Sequence, residues 1–247
     1  MSTFEGPQSM TAGSTERVIV IAGRHGGLAD AIADGLNAKG VTVAIADVTA
    51  GEILVRSHMD RSDDFRTTGY GEAGGAGADR QVARLLHLVG RVDGLVHLMP
   101  ASTPSGTHAT GPDPVGSSFH SALALILAAY SGWMRDNGGC ITNVLGAHRY
   151  EPDDTSGTVV HASVDDALVL ALTRELAAEL AGLVDVNAIV VGPVDTTLEV
   201  LLGDSIRRPI PMEPRANEID TITKAVIDFQ TSARGSHNGE VLVLDLA

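Results

Sequence analysis

Two patterns in this chain have residue types and spacing suited to chemistry. The first is Ala22-Gly23-Arg24-His25-Gly26-Gly27-Leu28-Ala29. Glycines stand there where a backbone must turn tightly and approach an anion, and a helix opening at that point offers free amides to a phosphate. Asp47 follows Gly23 by 24 residues, a spacing suited to accepting hydrogen bonds from a ribose and to repelling a 2′-phosphate. The second pattern is His161 and Asp165. Four apart on one helix, they share a face and form a candidate acid–base pair. If that helix begins as late as Ser163, Asp165 and Asp166 are instead first-turn carboxylates favoured by the helix dipole. One familiar device is missing. The chain has three tyrosines and two lysines, Lys39 and Lys224, and neither lysine follows a tyrosine by four, so no ammonium is placed to lower the pKa of a phenol.

The elements that must position these residues alternate along the chain. Val18–Ala22, Val41–Ala46, Ile53–His58, Asp93–Met99, Cys140–Leu145, Val184–Val191 and Glu240–Asp245 are short apolar runs of strand length. Between them, helical spacing marks Leu28–Lys39, stopped by Gly40, then Arg80–Leu88, Ser117–Arg135, Asp165–Ala181 and Glu218–Thr231. This order predicts a single α/β domain over 17–247: a Rossmann-like, doubly wound parallel sheet of about seven strands with helices on both faces. Residues 1–16 read as a flexible tail, with neither the basic start nor the apolar run of a signal peptide. Gly69–Gly77 and Pro100–Pro114 read as loops.

Composition narrows the function classes. Hydrophobic residues make up 44% of the chain and aromatic ones only 3%, so the core is built from Ala, Val, Leu and Ile, as suits helices on a parallel sheet. A formal charge of -14 argues against nucleic acid or an anionic membrane as partner. No stretch approaches the ~20 apolar residues of a spanning helix. One cysteine, Cys140, cannot form an internal disulfide, which fits a reducing cytoplasm. The nine histidines show no metal-ligand spacing.

From Arg17 onward the chain resembles the short-chain dehydrogenase/reductase family. Gly23-x-x-x-Gly27-x-Ala29 is similar to its Thr-Gly-x-x-x-Gly-x-Gly fingerprint, with Ala22 for the Thr and Ala29 for the last Gly. Asp60 resembles the acidic residue that ends the family's third parallel strand and contacts adenine. Leu168–Leu180 resembles the helix that carries the catalytic Tyr and Lys. Val186–Thr196 resembles the Asn-x-x-x-Pro-Gly-x-Val-x-Thr segment near the nicotinamide, and His237–Asp245 the terminal strand.

The resemblance implies an NAD or NADP site at Gly23, Gly27, Asp47 and Asp60, with Asp47 favouring NAD. It also exposes what has been lost. His97-Leu98-Met99-Pro100 replaces Asn-Asn-Ala-Gly, Gly146 stands at the catalytic serine, and Pro112–Leu127 holds no Asn. Ala162 and Asp166, or with one gap His161 and Asp165, occupy the Tyr and Lys positions. The implied role is a non-catalytic subunit of a hetero-oligomer, commonly a tetramer, whose paralogous partner carries the catalytic residues, with the NAD or NADP bound by both chains or by the partner alone. The paired proteins of aminocoumarin antibiotic pathways offer a parallel, with a substrate tethered to a carrier protein. The alternatives are a dinucleotide-sensing binding protein and an enzyme using His161 with Asp165.

Overall fold

A strand apolar on both sides needs helices on both sides, and the computed structural model is arranged accordingly. It describes residues 17–23, 26–47, 52–56, 66–69, 91–99, 117–146, 164–192 and 218–244. The strands are β1 (Val18–Gly23), β2 (Thr42–Asp47), β3 (Glu52–Arg56), β4 (Arg66–Gly69), β5 (Gly94–Leu98), β6 (Gly139–Leu145), β7 (Val184–Val191) and β8 (Val241–Leu244). They form one sheet in the order β4-β3-β2-β1-β5-β6-β7-β8. All residues of β1, β5 and β7 are buried, as expected of parallel strands covered on both faces.

The helices are α1 (Gly27–Asn37), α2 (Ser117–Ala129), α3 (Val164–Glu179) and α4 (Glu218–Thr231). After Ala129, α2 continues through a π-helical turn, Tyr130–Met134, to Arg135–Asn137. Leu28, Ile32 and Leu36 of α1 and Ile222, Val226 and Phe229 of α4 pack on one face of the sheet with Ile19, Ile21, Val43 and Ile45. Leu125 and Ile126 of α2 and Ala177 of α3 cover the other face with Val18, Val20 and Leu95. Gln230 ties α4 to the sheet, its Nε2 donating to the Leu95 carbonyl at 3.2 Å and to Thr142 Oγ1 at 3.0 Å.

The expected doubly wound sheet is present, with six parallel strands. Its edge differs. The third apolar run was expected as a further parallel strand, but β3 pairs antiparallel with β2, and β4 pairs antiparallel with β3. A parallel return needs a crossover of about a dozen residues or more, and only four separate Asp47 from Glu52. The short β4 had no apolar alternation to announce it. The tail at 1–16, the helix expected at Arg80–Leu88, the expected loop Pro100–Pro114 and all of Gly69–Gly77 but Gly69 lie outside the described residues.

At the end of the sheet where strands begin, polar clamps hold the segments in register. The Asp93 carboxylate accepts from Val18 N at 2.9 Å and from Arg91 Nε at 2.6 Å, and the Arg91 guanidinium lies 5.5 Å from the Trp133 ring centroid. Asn187 donates to the His237 carbonyl and accepts from Glu240 N, while Asn238 spans Val186 N and the Ala177 carbonyl. No helix among the described residues is long and apolar enough to cross a membrane.

Gly35 tests the α1–α4 contact, because a Cβ there would run into Ile227 Cδ1 and lie 3.3 Å from Thr223 Cγ2. Gly35→Leu is expected to destabilise the fold by about 1–3 kcal/mol through overpacking. Urea unfolding would read this as a lower midpoint, and an unchanged midpoint would mean that the two helices do not meet there.

Candidate functional site

In an open α/β sheet the crevice lies beyond the carboxyl ends of the strands, where the strand order reverses. Here that point falls between β1 and its neighbours β2 and β5. Gly23 ends β1, in register with Asp47 at the end of β2. A Cβ on residue 23 would come within 2.7 Å of Leu98 Cβ and 2.9 Å of the Leu98 carbonyl oxygen, so β1 and β5 close up only over glycine. Gly27 opens α1, and among the described residues the first atom a Cβ there would meet is Ile219 Cδ1, at 4.0 Å. Gly26 caps α1 without a side-chain hydrogen bond. The opening of α1 therefore offers the free amides that a phosphate needs.

The rest of the crevice does not follow suit. Beside Gly23 the side chain is the apolar Leu98, and Leu98 and Met99 are both buried. At the end of β6, Gly146 adopts a left-handed backbone with φ 79°, and the Val191 carbonyl oxygen fills the space that its Cβ would need. A serine is thus not merely absent at this position; the chain leaves no room for one. Among the described residues, the ends of β5 and β6 offer apolar side chains and backbone rather than polar groups that would hold a nicotinamide for hydride transfer.

On α3 the described helix runs from Val164 and holds Asp165 and Asp166. His161 itself, with Asp60, Ala162, His148 and Tyr150, lies outside the described residues. Asp47 is described only by its strand position and register. Of the four expected cofactor residues, Gly23, Gly27 and Asp47 come together at one end of β1 and β2. The strand before Asp60 instead runs away from them, Arg56 pairing with Val43 near the start of β2.

Sequence reasoning missed a polar cluster beneath the crevice. His97 on β5 is paired in register with Asn143 on β6, and both are almost fully buried. Asn143 Nδ2 donates to Thr173 Oγ1 on α3 at 2.9 Å, and the Thr173 hydroxyl donates to the Val169 carbonyl at 2.8 Å. Burial lowers the His97 pKa to about 4, against a smaller opposing effect of Asn143. The contact does not satisfy His97 Nδ1 or Asn143 Oδ1. The signal available was a histidine inside a wholly apolar strand. Cys140 is buried elsewhere, its thiol pushed up to about 12 by desolvation, and it donates to the Phe229 carbonyl at 3.3 Å. It is no nucleophile at neutral pH. Among the described residues no cluster of three His, Cys, Asp or Glu side chains could hold a metal ion.

Residues 22–246 match the protein-family model described as enoyl-(acyl carrier protein) reductase. No curated protein matches the chain. A short-chain dehydrogenase/reductase from Serratia marcescens is 19% identical with a TM-score of 0.60, over 93% of this chain and 95% of that one. A short-chain type dehydrogenase/reductase from Mycobacterium ulcerans is also 19% identical, with a TM-score of 0.58 over 93% and 88% of the two chains. The structure of ElxO with NADP bound is 18% identical with a TM-score of 0.61, over 94% and 98%. At these identities the likeness is one of fold.

Two substitutions probe the cluster and the end of β6. Because folding lowers the His97 pKa from 6.5 to about 4, the unfolded chain binds the proton more tightly. The corresponding stability is intact above pH ~6.5 and is lost as pH falls toward ~4, by at most about 3 kcal/mol. His97→Asn should flatten this part of the acid limb in unfolding curves recorded from pH 7 to pH 4; an unchanged slope would mean that His97 is not buried neutral. Gly146→Ser should lower stability by about 1–3 kcal/mol through its left-handed backbone and create no dehydrogenase activity, both read from thermal melts and turnover assays.

Proposed function

Since the chain belongs to the short-chain dehydrogenase/reductase family, within the branch described as enoyl-(acyl carrier protein) reductase, we propose that it serves as a non-catalytic subunit of a hetero-oligomeric oxidoreductase. The observation that carries this reading is Gly146, whose left-handed backbone under the Val191 carbonyl has no space for the serine. That serine would polarise the substrate oxygen. The phenol and the ammonium are lacking as well. Among the described residues the only tyrosine is Tyr130, in the π-helical turn, while Lys39 follows α1 and Lys224 lies on α4. General acid–base catalysis with a tuned phenol has no groups to run on, and the partner chain supplies them.

The outer surfaces of the helices support a role in assembly. Ser117–Met134 contains no Asp, Glu, Lys or Arg, in a chain whose formal charge is -14. Leu127 on α2 and Leu168 on α3 are the exposed large hydrophobic residues among those described, at 53% and 39%. The outer side of α4, by contrast, carries Glu218, Asp220, Lys224 and Asp228. On α3 Leu168 shares the outer side with the exposed Glu175 and Glu179, so the uncharged outer side of α2 is the surface suited to burial against another subunit. A paralogous short-chain dehydrogenase/reductase with its Tyr, Lys and Ser intact is the proposed partner, in a tetramer. The substrate is a β-hydroxy or β-keto acyl or aminoacyl group on a carrier protein, in antibiotic biosynthesis.

Co-expression with a paralogous short-chain dehydrogenase/reductase that keeps its Tyr, Lys and Ser, followed by size exclusion with light scattering, tests this reading. A mixed tetramer that turns over only when both chains are present is the expected result. A lone homo-oligomer that neither binds nor activates that dehydrogenase would end it.

A further inference from the structure

We propose that the outer surface of α2 and α3 chooses its occupant by charge. It accepts a helix face that is apolar opposite Leu127 and Leu168 and carries Lys or Arg opposite Glu175 and Glu179, and it rejects a second copy of this chain. The identity of the occupant as the paralogous subunit rests on the reading above; the rejection of a second copy does not. The two helices lie side by side on one face of the sheet, Ala122 of α2 meeting Val169 and Leu170 of α3 in one buried cluster. On α2 the outer side brings no charge, since Ser117–Met134 contains no Asp, Glu, Lys or Arg. Its exposed Leu127 supplies apolar contact without discrimination.

Discrimination falls to α3. At 3.6 residues per turn, positions 168, 175 and 179 lie within about 40° of one another around the helix axis, and Leu168, Glu175 and Glu179 are all exposed. Glu175 and Glu179 are one turn apart, and neither has a Lys or Arg three or four residues away along the helix, so α3 does not neutralise them. Arg174, the one cation in Val164–Glu179, stands about 100° or more from both around the axis. A two-fold pairing of identical chains makes each surface meet its own image. Two copies joined here would bring both pairs of carboxylates into one interface, and α3 has no cation on that line to meet them. Like charges so placed repel, and removing an unpaired carboxylate from water costs more again. The formal charge of -14 on each chain adds a longer-range repulsion. Basic groups on an unlike chain turn the same carboxylates into ion pairs and keep the apolar contact at Leu127 and Leu168. Such an interface is specific through what it refuses as well as what it binds.

The test uses the full-length chain and its Glu175→Lys/Glu179→Lys variant, both verified as folded by circular dichroism. In analytical ultracentrifugation at about 0.05 M salt, the wild type should bind the variant at least about tenfold more tightly than either chain binds itself. Raising the salt to about 0.5 M should erase most of that difference. Leu127→Asp in both chains should abolish association of the mixture. The proposal is overturned by a wild type that pairs with itself as tightly as with the variant, by a mixture that does not associate, or by association indifferent to Leu127→Asp. In the complex with a paralogous short-chain dehydrogenase/reductase that keeps its Tyr, Lys and Ser, the Glu175→Lys/Glu179→Lys variant should bind about tenfold more weakly than the wild type. Equal binding there overturns the proposal as well. Failure to find any such complex would sink the subunit reading and leave the pairing of wild type with variant to decide the choice by charge.

Discussion

The constraint on which this structure depends is the complete burial of β1. All six of its residues are enclosed, with β2 on one edge, β5 on the other and helices above and below. A strand so placed finds partners for its backbone polar groups only in neighbouring strands, and its side chains need apolar cover on both faces. Right-handed crossovers meet both demands and, in doing so, send the carboxyl ends of the parallel strands to one side. The crevice is a by-product of that topology. Its position is therefore retained here.

The two ends of the sheet have been treated differently. Where strands begin, side chains that fasten segments together are intact: Asp93 holds the start of β1, and Asn187 and Asn238 hold the turn before β8. Gln230 crosses from α4 to β5 and β6. Where strands end, polar reach gives way to apolar packing or to backbone, as at Leu98 and Gly146. His97 is the exception, a buried imidazole among apolar residues. Its neutrality follows from desolvation, and the hydrogen bond between Asn143 and Thr173 keeps that part of the core from being wholly apolar.

Much of the fold was legible in the residues themselves. Apolar runs such as Val18–Ala22 and Val184–Val191, helical spacing at Leu28, Ile32 and Leu36, and the Gly40 stop set element types and order, because burial periodicity is a local property. The absence of a lysine one helical turn after any tyrosine is equally a matter of counting. So was the glycine turn at Gly23 and Gly27, with Asp47 at the spacing that brings it beside Gly23.

Tertiary structure alone decided the rest. Periodicity cannot give the direction of a strand, so Ile53–His58 read as one more parallel strand until pairing with β2 reversed it; the brevity of the link was the only hint. The carbonyl over Gly146 comes from Val191, 45 residues away, and no local pattern carries a contact of that range. Residue counts alone determined that no lysine follows a tyrosine by four. Only the packed sheet determined that Gly146 leaves no room for a side chain, because that room is set by backbones meeting across strands.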